Sequence, residues 1–315
     1  MKRFILSVGW LLRIPALFRR LHRNRVLVLM YHGVAPDSEI HVQGDWLQVR
    51  ASEFRAQMTY LARHYEVCHF SRVLTKLPSK RPLAIVTFDD GYANNCGTAL
   101  PILEALGLPA TVFVTTAMVD SQRMFWWDRL RLALISKRAP TSEEVDQIKS
   151  LHPGAIDARV NAILDAAGCA HVPPPTESYR TLNSAEIARL LRSGLIEIGS
   201  HTHCHEILLQ LRDDEVKETL DASTRCLRRW GVTPRWFAAP NGDFREDQIP
   251  IIQGAGFEIC AGTKIGLWDA GGQRFSIPRV GIGRGLTLAE FSFAISGAVD
   301  WARSLRPQHI SKRTH

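Results

Sequence analysis

From Leu83 to Phe88 the chain reads Leu-Ala-Ile-Val-Thr-Phe and then stops at Asp89-Asp90-Gly91. A short apolar run rich in β-branched residues predicts a buried strand. Folding alone gives no reason for paired carboxylates at the end of a core strand, because burying unpaired charge is costly. Parallel α/β folds place their chemistry at the carboxyl ends of strands. Adjacent side chains diverge there, so one aspartate can bind a metal while the other serves as a base. The bland alternative is that both cap the following turn.

The same rhythm recurs along the chain. Val26–Tyr31, Ala110–Thr115, Leu195–Gly199 and Trp236–Ala239 read as strands, with later ones at Glu258–Gly262 and Phe275–Val280. Between them lie helical patterns: one capped by Ser52 with Phe54, Met58 and Leu61 on a face, one over Ala99–Leu106, and one over Asp213–Trp230. Asn183-Ser184-Ala185-Glu186 has the form of a capping box. Residues from about 120 to 180 break this alternation, from Phe125-Trp126-Trp127-Asp128 to Pro173-Pro174-Pro175, and read as a helical insertion over one mouth of the body. Strands alternating with helices predict a mostly parallel sheet, closed or nearly closed on itself. At 315 residues the chain accommodates a single α/β barrel of typically ~250 residues. Its 45% hydrophobic and 22% charged residues exclude wholesale disorder.

The formal net charge of +8 is local. Lys2, Arg3, Arg13, Arg19, Arg20, Arg23 and Arg25 supply seven of those charges, and residues 1–25 contain no acid. The remainder is nearly neutral and offers no basic face to a nucleic acid. Residues 1–25 form a segment of their own, with the body over 26–300 and a basic tail over 301–315. The apolar run Phe4–Leu12 is far short of the ~20 residues that cross a bilayer, and no small-x-small cleavage site follows. A basic amphipathic helix on an anionic membrane surface is expected, against a helix packed on the body or an uncleaved export signal. The expected location is cytoplasmic or membrane-associated, with export left open. The six cysteines are scattered, without Cys-x-x-Cys, and are expected to be free thiols.

His201 and His205 stand four apart just after a predicted strand and can face one point as neutral imidazoles. Joined to a carboxylate from another strand end they make a two-histidine, one-carboxylate site with open positions for water. His203 and Cys204, between them, are expected to point elsewhere. Thr87-Phe88-Asp89-Asp90-Gly91 taken with Ser200-His201-Thr202-x-x-His205 resembles the first two motifs of the polysaccharide deacetylases, carbohydrate esterase family four. The resemblance implies a distorted (β/α)7 barrel, Asp89 as general base, and one divalent ion held by Asp90, His201 and His205. The ligand set suits zinc, although cobalt, nickel or iron also fits.

Ala238-Ala239-Pro240-Asn241-Gly242 matches the family's third motif in part. Pro240 and Gly242 would shape the turn and the Asn241 N–H could stabilise an oxyanion. The arginine that usually partners the catalytic aspartate is replaced by Ala238, and Arg279 is a substitute on strand position alone; a surface salt bridge is its alternative. The late Leu-x-His that supplies the acid is missing, and His309 and His315 lie in the basic tail. Leu29-Met30-Tyr31-His32 instead resembles the permuted arrangement of poly-N-acetylglucosamine deacetylases, which makes His32 the expected acid. Trp268-Asp269 has the residue types of the acid–tryptophan motif that positions this histidine. Pro240, Gly242, Tyr92 and Trp127 are the expected substrate-binding residues, though tryptophans opening an amphipathic helix are more often packing residues. The implied reaction is hydrolysis of N-acetyl groups on N-acetylhexosamine units of a glycan. The alternatives are an O-acetyl or other amide hydrolase with the same metal, and a silent glycan-binding module.

Overall fold

The computed structural model describes residues 2–39, 45–75, 79–121, 123–134, 138–169 and 175–298. The expected basic tail, with His309 and His315, and Pro173-Pro174 lie outside the described residues. The strands are β1 (Leu27–Tyr31), β2 (Gly33–Ala35), β3 (Gln48–Arg50), β4 (Glu66–Val67), β5 (Leu83–Phe88), β6 (Ala110–Val114), β7 (Ile196–Ser200), β8 (Trp236–Ala238), β9 (Ile259–Ala261), β10 (Phe275–Ile277) and β11 (Val280–Gly281). The helices are α1 (Lys2–Leu11), α2 (Ile14–Leu21), α3 (Ala51–His64), α4 (Phe70–Leu74), α5 (Leu100–Leu106), α6 (Trp126–Leu134), α7 (Ser142–Lys149), α8 (Pro153–Ala166), α9 (Ser184–Arg192), α10 (Asp213–Arg229), α11 (Ile249–Gly254) and α12 (Leu288–Ala294).

The main sheet is parallel throughout and runs β10-β9-β8-β7-β6-β5-β1-β11, with β4 pairing onto the start of β5. Its two end strands are consecutive in sequence, separated only by Pro278 and Arg279. The sheet therefore curls back on itself as a distorted (β/α) barrel. The expected single strand Phe275–Val280 is in fact broken. Pro278 has no N–H to give a ladder, and the two halves pair with opposite ends of the sheet path, β9 and β1.

Alternation along the strands sorts the core into two sets. Leu27, Leu29 and Tyr31 of β1, with Ala84, Val86 and Phe88 of β5, join the larger cluster, which also takes buried apolar side chains of α3, α5, α9 and α10. Val28, Ile85, Phe113, Trp236, Ile259 and Ile277 face the other way and pack with Phe70 and Trp268. The Phe70 ring lies 5.7 Å from Trp236 and 6.3 Å from both Phe113 and Trp268. This aromatic plug fills the barrel, so the strands' carboxyl ends carry an open, polar floor. Helices α6 to α8 bury a separate cluster, including Leu130, Leu134, Ile148, Val160 and Leu164.

Two local expectations need correction. Ser52 does not cap α3: the cap position is Arg50, and the Ser52 hydroxyl donates to Asp37 instead. Helix α5 starts at Leu100, preceded by a wider turn over Asn95–Ala99. Strands β2 to β4 and helix α4 have no apolar period long enough to announce them. The capping box at Asn183 is present, with reciprocal 2.9 Å bonds between Asn183 and Glu186.

Candidate active site

Strands β1, β5 and β7 end on the same edge of the sheet, with β6 between β5 and β7, and each delivers chemistry where it stops. The Asp89 N–H donates to Tyr31 O and the His201 N–H to Val114 O, both at 2.9 Å, so the ladder bonds themselves fix where these residues leave the sheet. Backbone φ is positive at Asp90 (73°), Thr202 (63°), His205 (62°) and Asn241 (56°). Non-glycine residues pay strain for that left-handed conformation, and such strain gathers at functional sites. The turns bring Asp90, His201 and His205 together: Asp90 Oδ1 lies 3.5 Å from His201 Nε2 and 3.3 Å from His205 Nε2. Among the described residues they form the one group of three or more side chains able to hold a metal ion, with donor atoms within 4.8 Å of one another.

The donor set fits a divalent cation. His201 Nδ1 lies 2.7 Å from Ala238 O and must donate to it, which leaves the Nε2 lone pair facing the Asp90 carboxylate. Burial pushes the His201 pKa down to about 4, against the pull of Asp89, so the imidazole is neutral at ordinary pH. An acceptor nitrogen facing an acceptor oxygen in a buried site wants positive charge between them. Burial alone would raise Asp90, but the contacts with His205, His32 and His201 bring its carboxyl below the usual range. His203 and Cys204 do point elsewhere: His203 Nδ1 lies 2.8 Å from the Thr116 hydroxyl, and Cys204 is exposed. All six cysteines are free.

Asp89 stands apart from that cluster and belongs to Arg279. The guanidinium is fully buried and grips both carboxylate oxygens at 2.7 Å. Its Nε donates to Gly262 O at 2.7 Å and Nη1 to the Thr87 hydroxyl at 3.1 Å. Burial opposes ionisation of Asp89, yet Arg279 outweighs it and holds the pKa at about 2.

A cavity of about 890 Å³ opens above these groups. His32, Asp89, Asp90, His201, His205, Asn241, Trp126 and Trp127 all line it, as do Leu130 and Lys149 from the helical insertion. His32 Nδ1 is buried without a hydrogen-bond partner, and its ring meets Trp46 edge-on at 5.3 Å. Trp46 is therefore the tryptophan beside His32, while the adjoining Asp45 carboxylate accepts from the Leu47 N–H, Arg131 and the Tyr179 hydroxyl. Trp268-Asp269 is not beside His32: Trp268 pairs with Val26 at the amino end of β1, and Asp269 bonds Arg25. The sequence signal for Asp45-Trp46 was the same dipeptide chemistry, hidden in a stretch without periodicity.

Three expected substrate residues do not line the cavity. Tyr92 is fully buried and does not line the cavity; its hydroxyl donates to Asp128 at 2.7 Å and accepts from Trp127 Nε1 at 2.9 Å. Pro240 and Gly242 likewise do not line it. Gly242 has φ 76° and sits where a Cβ would fall 2.4 Å from the Thr263 hydroxyl, so the turn that presents Asn241 needs a glycine. The Asn241 carbonyl accepts from that hydroxyl at 2.8 Å. Trp127 does reach the cavity, stacked on Phe125 at 4.5 Å with its ring 4.7 Å from His205.

The structure thus joins a plugged parallel barrel to two histidines and a carboxylate in one cluster, with an arginine-held carboxylate beside it. A family model described as polysaccharide deacetylase matches residues 76–260, more than half of the chain, and the chain belongs to that family. YxkH of Bacillus subtilis, provisionally assigned as a polysaccharide deacetylase, is 36% identical over 93 residues, 28% of this chain and 30% of that protein. The match thus spans less than a third of that relative's length. Among solved structures, a polysaccharide deacetylase from Bacillus cereus superposes with a TM-score of 0.62 at 22% identity, over 86% of this chain and 69% of that one. The deacetylase PplD of Streptococcus pyogenes, solved in complex with acetate, gives 0.61 at 17% identity, over 86% of this chain and 98% of that one. These similarities are to the fold. The family match stops short of both His32 and Arg279, which enter the site through tertiary structure.

Proposed function

We propose that the protein removes N-acetyl groups from N-acetylhexosamine units of a glycan, using a divalent ion held by Asp90, His201 and His205. The observation that carries this reading is the division of labour between the paired aspartates, one facing two imidazoles and the other clamped by Arg279. When bound, the ion supplies Lewis acidity that lowers the pKa of water and polarises an acetyl carbonyl. Zinc suits the donor set.

Asp89 stays ionised because Arg279 neutralises it, and its carboxylate takes a proton from the attacking water. So low a basicity makes Asp89 a poor place to keep that proton, which favours passing it on. Asn241, turned into the cavity by its left-handed backbone, offers its N–H to the developing oxyanion. His32 gives a proton to the departing amine, which is too basic to leave as an anion. Its unpartnered buried Nδ1 and its contact with Trp46 support that role. Trp127 presents a ring face to a sugar.

Acetate release from an N-acetylglucosamine oligomer series, with metal content measured on the same protein, tests the reading. Asp89→Asn and His201→Ala are each expected to lose at least 100-fold in rate, the usual worth of a general base or more. Wild-type rates in both variants on every hexosamine acceptor would overturn it. An O-acetyl sugar run in parallel separates the ester-cleaving alternative, because an alkoxide leaves with less help from His32 than an amine.

A further inference from the structure

We propose that α1 and α2 dock the protein on an anionic lipid bilayer at the amino ends of the barrel strands, with the cavity mouth turned away from the lipid. Six of the nine exposed large apolar side chains among the described residues fall in this short segment: Val8, Trp10, Leu11, Leu12, Leu17 and Leu21. Leu11, Leu12, Leu17 and Leu21 are 57–74% exposed. Leu17 and Leu21 are one turn apart on the same helical stripe. The helices are nonetheless seated. Pro15 is buried, and Gly9 approaches α12 so closely that a Cβ would lie 2.8 Å from the Phe293 ring. One side of the pair is therefore used up by the protein while the other offers leucines to the outside.

Charge selects the occupant. Residues 1–25 hold seven cations and no acid. Arg13, Arg20 and Arg23 are exposed, with no carboxylate partner among the described residues. Anionic headgroups match those arginines while the leucines enter the acyl boundary. A second copy of the chain would bring two cationic faces together, which opposes self-association. No helix of the described residues is long and apolar enough to cross a membrane. Helices of 10 and 8 residues reach roughly 15 and 12 Å, so they lie on a surface.

Position fixes the orientation. Helix α2 leads into β1 through a short turn over residues 22–26, and its Arg19 donates to the Tyr60 hydroxyl at 3.0 Å, beside the carboxyl end of α3. Arg25 bonds Asp269 at 3.0 Å, next to the Trp268–Val26 pair that opens β1. The site residues follow the far ends of β1, β5 and β7. Five residues of β1 at about 3.3 Å each separate the two ends by roughly 17 Å.

Co-sedimentation of the full chain with vesicles of phosphatidylcholine alone, or mixed with phosphatidylglycerol, tests the proposal. Binding is expected only to the mixed vesicles and is expected to weaken with salt. Leu17→Asp/Leu21→Asp and Arg20→Glu/Arg23→Glu should each weaken it about tenfold or more. Soluble-substrate turnover should not change in either variant. In proteins carrying Cys226→Ser, a fluorophore on Asn24→Cys (with Cys204→Ser) should be quenched by nitroxide lipids, and one on native Cys204 should not. No vesicle binding, equal binding to neutral and anionic vesicles, equal quenching at both labels, or a dimer that Leu17→Asp/Leu21→Asp dissolves would each overturn it.

Discussion

A guanidinium with no exposed surface, holding a carboxylate at two 2.7 Å contacts, is an all-or-nothing arrangement. Each charge has been taken out of water, and only the other makes that tolerable. Arg279→Met strands a buried anion and should lower the unfolding free energy by about 3–5 kcal/mol, read from urea midpoints. Asp89→Asn/Arg279→Met should recover most of that loss, because two apolar or neutral groups can replace a pair, while deacetylation stays absent. If the double variant is as unstable as the single one, the arginine's main role is its bond to Gly262 O and not its charge. The aspartates and histidines were legible because their spacing is local. Arg279 is separated from Asp89 by 190 positions, and a late strand end was its only signal. His32 had the same kind of signal. Trp46 had only its place in an Asp-Trp dipeptide, because what makes it matter is a ring contact across chain segments.

Among the elements, α6 is the one that joins the helical insertion to the chemistry. Its first turn sets Trp127 against Phe125 and His205, and a buried chain from Trp127 Nε1 to the Tyr92 hydroxyl to Asp128 holds the ring there. Tyr92→Phe keeps the packing but removes both bonds, leaving the indole N–H and the Asp128 oxygen without that partner. A stability loss of about 1–3 kcal/mol is expected from the unsatisfied groups. If the chain positions Trp127 for a sugar, KM should rise severalfold with kcat less affected. An unchanged KM with the stability loss intact would make the chain purely structural. At this scale the sequence was legible where periodicity was strong. Strands β1, β5, β6, β7, β8 and β9 fall within a residue or two of expectation, and the box at Asn183 caps α9. It failed at β10 and β11, where a continuous apolar run conceals the break that Pro278 makes. It failed too at β2 and β3, three residues each, whose pairing partners are set by the fold.

Across the whole molecule, the aromatic plug closes one end of the barrel and leaves the other to a cluster of acceptors that does not favour its own folding. Asp90 faces two imidazoles, and His201 is kept neutral by burial, with its pKa pushed down to about 4 from an ordinary 6.5. Above pH 6.5 both folded and unfolded chains carry neutral His201, and its contribution to stability is fully present. Between 6.5 and 4 the unfolded chain takes up a proton that the folded site refuses, so stability falls as the pH drops. The loss approaches about 3 kcal/mol once the pH passes below the folded value. A chelated sample followed by urea unfolding at pH 7.5 and pH 4.5 should show that loss, and His201→Gln should flatten most of it. Adding zinc should raise the midpoint at pH 7.5 and do little at pH 4.5, because ion and proton compete for the same nitrogens. A chelated protein that instead gains stability as the pH falls through this range would mean that the His201 nitrogen facing Asp90 is already protonated in the folded state, and the case for a cation between them would fall with it.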